Sequence, residues 1–89
     1  MMSFRAGRYH RISYHQLEEA QNQLGVKFHE YEEWLTFDEY VDNLKMFKHL
    51  GTDYWYAYQA TDVNTDGKHR CRFGFANQKD ALAFKLMLE

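Results

Sequence analysis

The segment of this sequence that comes nearest to a metal site is the stretch 62–67, which reads Asp-Val-Asn-Thr-Asp-Gly. Oxygen-bearing side chains at alternate positions, followed by a glycine, match the first half of a calcium-binding loop. The second half does not match, because Phe73 stands where a bidentate glutamate is required and the basic residues Lys68 and Arg70 come directly after the glycine. Asn, Asp and Gly are also typical of hairpin turns, so we predict a turn here.

The other side chains that could do chemistry are isolated. His69 and Cys71 lie two positions apart, but two ligands without a third do not make a zinc site. Cys71 also alternates with Phe73 and Phe75, which favours a small core residue. No Ser/His/acid arrangement and no phosphate-binding glycine loop can be picked out. We therefore predict that the chain is not an enzyme and has no catalytic residue, cofactor or metal.

Charge is distributed unevenly along the chain, although the net charge is only -2. Residues 1–15 contain three arginines and no acid, and residues 16–44 contain eight acids against one lysine. Residues 45–89 contain seven bases against five acids. Such asymmetry is a hint about binding partners. Ordinary solvated surfaces are the alternative interpretation.

The acidic middle of the chain combines carboxylates with aromatic residues. Aromatic side chains anchor protein interfaces, and charge steers a partner of opposite sign. We therefore predict a surface that binds a protein with a basic face. Its predicted residues are Glu30, Tyr31, Glu32, Glu33, Trp34, Asp38, Glu39 and Asp42.

Basic residues at the N-terminus and along the last predicted strand indicate a second class of partner, nucleic acid. Cationic side chains neutralise phosphates, and aromatic rings beside them stack on bases. Arg70 and Arg72 share one strand face, which includes either Trp55 or the row of tyrosines within 54–58. The alternative is that the tyrosines cover the core and the arginines are merely solvated. The predicted nucleic-acid-binding residues are Arg5, Arg8, Arg11, Lys68, Arg70 and Arg72.

Length and composition predict one small folded domain over residues 1–89, in which 1–7 is a flexible basic arm. The chain is 45% hydrophobic and 18% aromatic, which supplies the apolar area that a short chain must bury. Its only cysteine, Cys71, cannot form an internal disulfide, which favours a cytoplasmic location. No apolar run reaches the length of a membrane span or signal peptide, so we expect no membrane partner.

Capping patterns predict where the helices begin. Ser13 with Gln16, and Thr36 with Glu39, each form a capping box, and Asn77 is suited to cap a third helix. The predicted helices are 14–24, 36–50 and a final helix after Asn77.

Alternation of apolar and polar residues predicts strands over 8–12, 26–32, 53–62 and 68–76. Acidic residues interrupt the second of these patterns, so a helix over 26–35 is the alternative there. The order β-α-β-α-β-β-α predicts an α+β fold, with a mostly antiparallel sheet and helices packed on one face.

The C-terminal segment from Phe73 onward reads F-G-F-A-N-Q-K-D-A-L-A-F-K-L. It resembles the strand-to-helix ending F-x-F-x-N-x-x-D-A-x-x-F-K-L of small uncharacterised tailed-bacteriophage proteins. The resemblance covers about a sixth of the chain and carries no catalytic residue. It implies an accessory protein in the host cytoplasm that binds a host factor. The matching residues are Phe73, Phe75, Asn77, Asp80, Ala81, Phe84, Lys85 and Leu86.

Two functional hypotheses follow from these patterns. The leading one is a non-enzymatic, phage-type accessory protein that binds and modulates or inhibits a host macromolecule, such as a toxin or a defence nuclease. The alternative is an RNA- or DNA-binding protein that uses a basic sheet face and its N-terminal arm, with RNA-dependent assembly onto a protein partner included.

Overall fold

A computed structural model describes residues 11–50 and 53–88 and gives an α+β fold, as predicted. A 3-10 turn leads into the first helix. The elements in chain order are the 3-10 turn Tyr14–Gln16, α1 Leu17–Leu24, β1 His29–Leu35, α2 Phe37–Leu50, β2 Trp55–Val63, β3 His69–Phe75 and α3 Gln78–Leu88.

The three strands form one antiparallel sheet in the order β1-β3-β2, so β3 is central and β1 and β2 are the edges. β2 and β3 form the predicted hairpin, whose turn depends on Asn64. The Asn64 side-chain oxygen accepts hydrogen bonds from the backbone N–H groups of Asp66 and Lys68, and Gly67 has a φ of 75°. A left-handed residue of this kind favours glycine. The calcium-like segment is therefore a hairpin turn.

Two predicted capping boxes are present. The Ser13 hydroxyl and the Gln16 side chain satisfy each other's backbone N–H groups at the start of the 3-10 turn. At α2, the Glu39 N–H donates to the Thr36 hydroxyl at 3.2 Å, and the Thr36 N–H donates to the Glu39 carboxylate at 2.9 Å. Because both boxes join residues three apart, they form without any tertiary contact.

One sheet face, here called the inner face, packs against α2 and α3. Its core is aromatic: the Phe47 and Phe75 rings stack at 4.6 Å between centroids, and Phe73 and Phe84 meet at the same distance. Trp55 is also buried here, 5.4 Å from Phe47. The inner face therefore carries most of the apolar burial that stabilises the fold.

The opposite, outer face is partly covered by the 3-10 turn and α1. Ile12, Ala20 and Phe28 form a second buried cluster with Tyr56. The Tyr56 ring crosses the central strand at Gly74, where an added Cβ would lie only 1.9 Å from a ring carbon. Its hydroxyl then donates to Glu30 on β1. The expectation that helices share one face thus holds for α2 and α3, while α1 lies on the other.

The bounds of β2 and β3 lie within two residues of the predicted strands 53–62 and 68–76, whereas the first two predicted strands differ more. The strand predicted over 26–32 runs from His29 to Leu35, because Phe28 is buried in the outer cluster and its N–H donates to the Gln21 side chain. The helix alternative for 26–35 is wrong. Of the strand predicted over 8–12, only Arg11 forms a bridge, parallel to Trp55, and residues 8–10 lie outside the described part of the chain.

Candidate functional site

Most side chains of β1 are exposed to solvent, although all seven of its residues pair with β3. Five of its seven residues are exposed, namely His29, Glu30, Glu32, Glu33 and Trp34. It pairs with β3 on one side, and within the described ranges 11–50 and 53–88 no strand pairs with its other side. β1 therefore presents carboxylates and one large aromatic ring along a sheet edge.

The residues of β1 that were predicted to bind protein divide between the two faces. Glu30, Glu32 and Trp34 lie on the outer face, opposite Gly74, Arg72 and Arg70 respectively. Tyr31 and Glu33 lie on the inner side.

Tyr31 is half-buried there, with its ring 6.4 Å from Phe75 and 6.3 Å from Phe84. Its ring thus contributes to the core, whereas Glu33 is exposed and has no hydrogen-bond or ion-pair partner among the described residues. Glu33 is the carboxylate of β1 that remains available to a partner.

The first turns of α2 extend this acidic region. Asp38 and Asp42 are exposed and one helical turn apart, so they share a helix face. Glu39 instead caps its own helix, and its hydrogen bonds with Thr36 hold the pKa of its carboxyl below the ordinary value, with a smaller contribution from the charge of Lys68. We call Glu30, Glu32, Glu33, Trp34, Asp38 and Asp42 the acidic edge.

Phe37 is an exposed aromatic residue of this region that the sequence pattern missed. Its spacing from Tyr40 and Phe47 predicts burial, yet 60% of its surface is exposed, whereas Tyr40 and Phe47 are buried. Phe37 is the first residue of α2. Its position directly after the capping residue Thr36 was the available signal that it lies at the helix end. Trp34 and Phe37 are thus two exposed rings among carboxylates.

The two arginines that were predicted to bind nucleic acid are paired with acids of the chain itself. Arg72 donates to the Glu32 carboxylate at 2.9 Å, and Arg70 lies 3.6 Å from the same carboxylate. Arg70 also pairs with Asp62 at 3.1 Å. The hydrogen bond from Arg72 is the main cause that lowers the pKa of Glu32, and the same bond raises the pKa of Arg72. Two guanidinium groups are therefore balanced by two carboxylates.

The arginines share the outer face with the tyrosine row and not with Trp55, which resolves the alternative left open by the sequence. Tyr56 is fully buried, and Tyr58 is partly exposed and stacks on Tyr14 at 4.5 Å. The Tyr14 hydroxyl lies 3.5 Å from Arg72. A depression of about 150 Å³ lies between these rings and the arginines.

Of the remaining predicted basic residues, the structure describes Arg11 and Lys68, which lie in different parts of the fold. Arg11 lies at the β2 edge, with its guanidinium 5.6 Å from the Trp55 ring centroid and 3.5 Å from the Ala57 carbonyl oxygen. Lys68 lies at the hairpin turn. Arg5 and Arg8 fall outside the described residues. Among the four described residues of the predicted set, the structure therefore brings together Arg70 and Arg72.

Reactive and metal-binding groups are sparse in the part of the chain that the structure describes. Cys71 is buried, and burial raises the pKa of its thiol, which works against a reactive thiolate. Over residues 11–50 and 53–88, no group of three His, Cys, Asp or Glu side chains is placed to hold a metal ion. None of the helices in that part of the chain is long and apolar enough to cross a membrane.

The chain was compared with protein-family models, with curated proteins and with solved structures, and none of the three comparisons finds a match.

Proposed function

We propose that this chain is a non-enzymatic accessory protein of the bacteriophage type, which docks through its acidic edge on a basic surface of a host protein. Toxin nucleases and defence nucleases are suitable targets because their substrate-binding surfaces must attract the phosphates of nucleic acid and are therefore basic. Docking there would exclude the nucleic acid and inhibit the target. Such a protein would act in the host cytoplasm.

The observation that carries the proposal is the exposure of β1. An edge strand with five exposed residues of seven contributes little apolar burial of its own. β1 and the start of α2, which carry the exposed rings of Trp34 and Phe37, also carry four exposed acidic residues, namely Glu30, Glu33, Asp38 and Asp42. Aromatic anchors supply contact area, and carboxylates of one sign steer a basic partner.

The charge balance around Arg70 and Arg72 favours a protein partner over nucleic acid. A phosphate would have to displace Glu32 from both arginines, and Asp62 would remain beside Arg70. Tyr56, in the middle of the tyrosine row, is buried and offers no stacking surface, although Tyr58 retains one. The nucleic-acid alternative therefore has less support than a protein partner.

The test is capture of the partner from host lysate with the tagged full chain, before and after nuclease treatment. The informative variant is Glu33→Lys, because Glu33 is exposed and has no partner among the described residues, so its charge can be reversed without breaking a contact. The matched control is Glu18→Lys, an equal charge reversal on the exposed side of α1. Affinities for the captured protein are then measured at low and moderate salt.

We expect Glu33→Lys to weaken binding about tenfold at low salt, with a smaller loss at moderate salt, because steering by exposed charge is screened. Glu18→Lys should bind like the unmodified chain. Equal binding by all three proteins would overturn the acidic-edge proposal. Loss of the captured protein after nuclease treatment would favour RNA-dependent assembly instead.

A further inference from the structure

The two edges of the sheet differ in regularity. β1 pairs with β3 in one continuous register from His29 to Leu35, without a bulge. At about 3.3 Å per residue, seven residues make an edge of about 23 Å. The chain contains no proline that could interrupt it. The backbone N–H and C=O groups of β1 that point away from β3 lie at the edge of the sheet and are suited to pair with another strand.

The β2 edge is less suited to strand pairing. Its register against β3 shifts between Gln59 and Val63, and a bulge of this kind bends a strand away from regular pairing. At its start, the Ile12 N–H donates to the Trp55 carbonyl oxygen at 2.8 Å, so the N-terminal segment already occupies the edge there. β1 is therefore the edge that can receive a new strand.

Charge limits which strand β1 can receive. Glu32 is paired with Arg70 and Arg72, so Glu30 and Glu33 are the carboxylates of β1 that have no arginine partner among the described residues. Antiparallel registers of two copies of β1 that place Glu33 opposite Glu33, or Glu30 opposite Glu30, would bring these carboxylates together. Like charges directly opposite each other across strands are destabilising, whereas opposite charges are favourable. The glutamates thus disfavour a second copy of this chain and favour a basic strand.

We propose that an extended, basic segment of the partner pairs with β1 on the side away from β3. This segment would be a fourth strand of the sheet. This inference rests on the proposed function and specifies how the partner is held. Backbone hydrogen bonds supply affinity, and alternate side chains supply specificity, as in strand addition generally.

The two faces of β1 define the side-chain pattern of that segment. Residues of the added strand on the outer face would lie beside Glu30, which is hydrogen-bonded to the uncharged Tyr56 hydroxyl and not to an arginine, and this suits lysine or arginine. Residues on the inner side would lie beside the half-buried ring of Tyr31, which suits an apolar side chain, and beside the exposed Glu33, which suits a further basic side chain. A basic segment with an apolar residue next to Tyr31 therefore fits β1.

The test uses a six-residue peptide of alternating lysine and valine with the full chain. The matched control is the same peptide with every backbone nitrogen methylated, which keeps the charge and side chains but removes the hydrogen-bond donors. Affinity and the exchange rates of the β1 amide hydrogens are measured with each peptide. Strand addition predicts that the methylated peptide binds at least about tenfold more weakly. It also predicts that only the unmethylated peptide slows exchange at alternate β1 amides.

Equal affinity of the two peptides would overturn strand addition but leave the acidic edge as a charge-driven docking surface. Binding of neither peptide would also overturn strand addition. In both cases the proposed function is judged separately, by whether Glu33→Lys loses the protein captured from lysate. Slowed exchange at β2 amides instead of β1 amides would place the added strand on the wrong edge and contradict the inference.

Discussion

β1 and β3 pair residue for residue over seven positions, yet three pairs that face each other on the inner face differ in burial. In β3, Cys71, Phe73 and Phe75 are completely buried under α2 and α3. In β1, the residues opposite them are the exposed Glu33, the half-buried Tyr31 and the exposed His29. The strand that holds the core together is thus not the strand that offers groups to a partner. Substitutions should therefore separate stability from binding.

The largest effect is expected from Phe73→Ala in β3. The Phe73 ring is fully buried and contacts Phe84 and Tyr40, with centroids at 4.6 and 5.8 Å. Its loss should lower the free energy of unfolding by about 3–5 kcal/mol, since a cavity replaces the ring. Urea denaturation followed by circular dichroism measures this loss. Trp34→Ala in β1 is the comparison, and a loss as large as that of Phe73→Ala would contradict the division between the strands.

A smaller loss is expected from Gly74→Ala, also in β3. The added methyl group would meet the Tyr56 ring at the point where this ring crosses the sheet towards Glu30. Overpacking of this kind typically costs about 1–3 kcal/mol. The same denaturation experiment measures it, and Gly74→Ala should cost less in a Tyr56→Leu background than in the unmodified chain. An unchanged unfolding midpoint for Gly74→Ala alone would show that the ring does not lie over Gly74.

The smallest effect on stability is expected from the ion pairs that join β1 to β3. Arg72 holds the pKa of Glu32 below its ordinary value, so the pairing stabilises the fold above the ordinary glutamate pKa of about 4.3. This stabilisation is lost as the pH falls through the lowered pKa of the folded state. Denaturation at a series of acidic pH values should show a weaker acid dependence for Glu32→Gln than for the unmodified chain. Identical acid dependence of the two proteins would contradict the pairing.

The elements of this fold that were predictable from the sequence are those set by local chemistry. Thr36 with Glu39, and the turn at Asn64, involve partners within four residues, so their patterns can be recognised without the fold. The sheet order could not be read in this way, because it joins β1 to a strand about 40 residues later.

The candidate site could likewise be predicted only in part, because its contacts join residues that are far apart in the sequence. Glu32 and Arg72 were predicted to bind different classes of partner, but pairing of β1 with β3 places them 2.9 Å apart. Tyr14 likewise stacks on Tyr58 only because the 3-10 turn crosses the outer face. Contacts between distant segments thus decide which charged residues are paired within the chain and which can still bind a partner. Glu33 is one that can still bind a partner.

The most direct test of the central claim is photo-crosslinking from the acidic edge. A photo-crosslinking amino acid replaces Trp34 in one protein and Glu18 in another, and both are irradiated in host lysate. Docking through β1 predicts a specific protein adduct from position 34 and none from position 18. Adducts of equal yield from both positions, or adducts from position 34 that contain only nucleic acid, would contradict it.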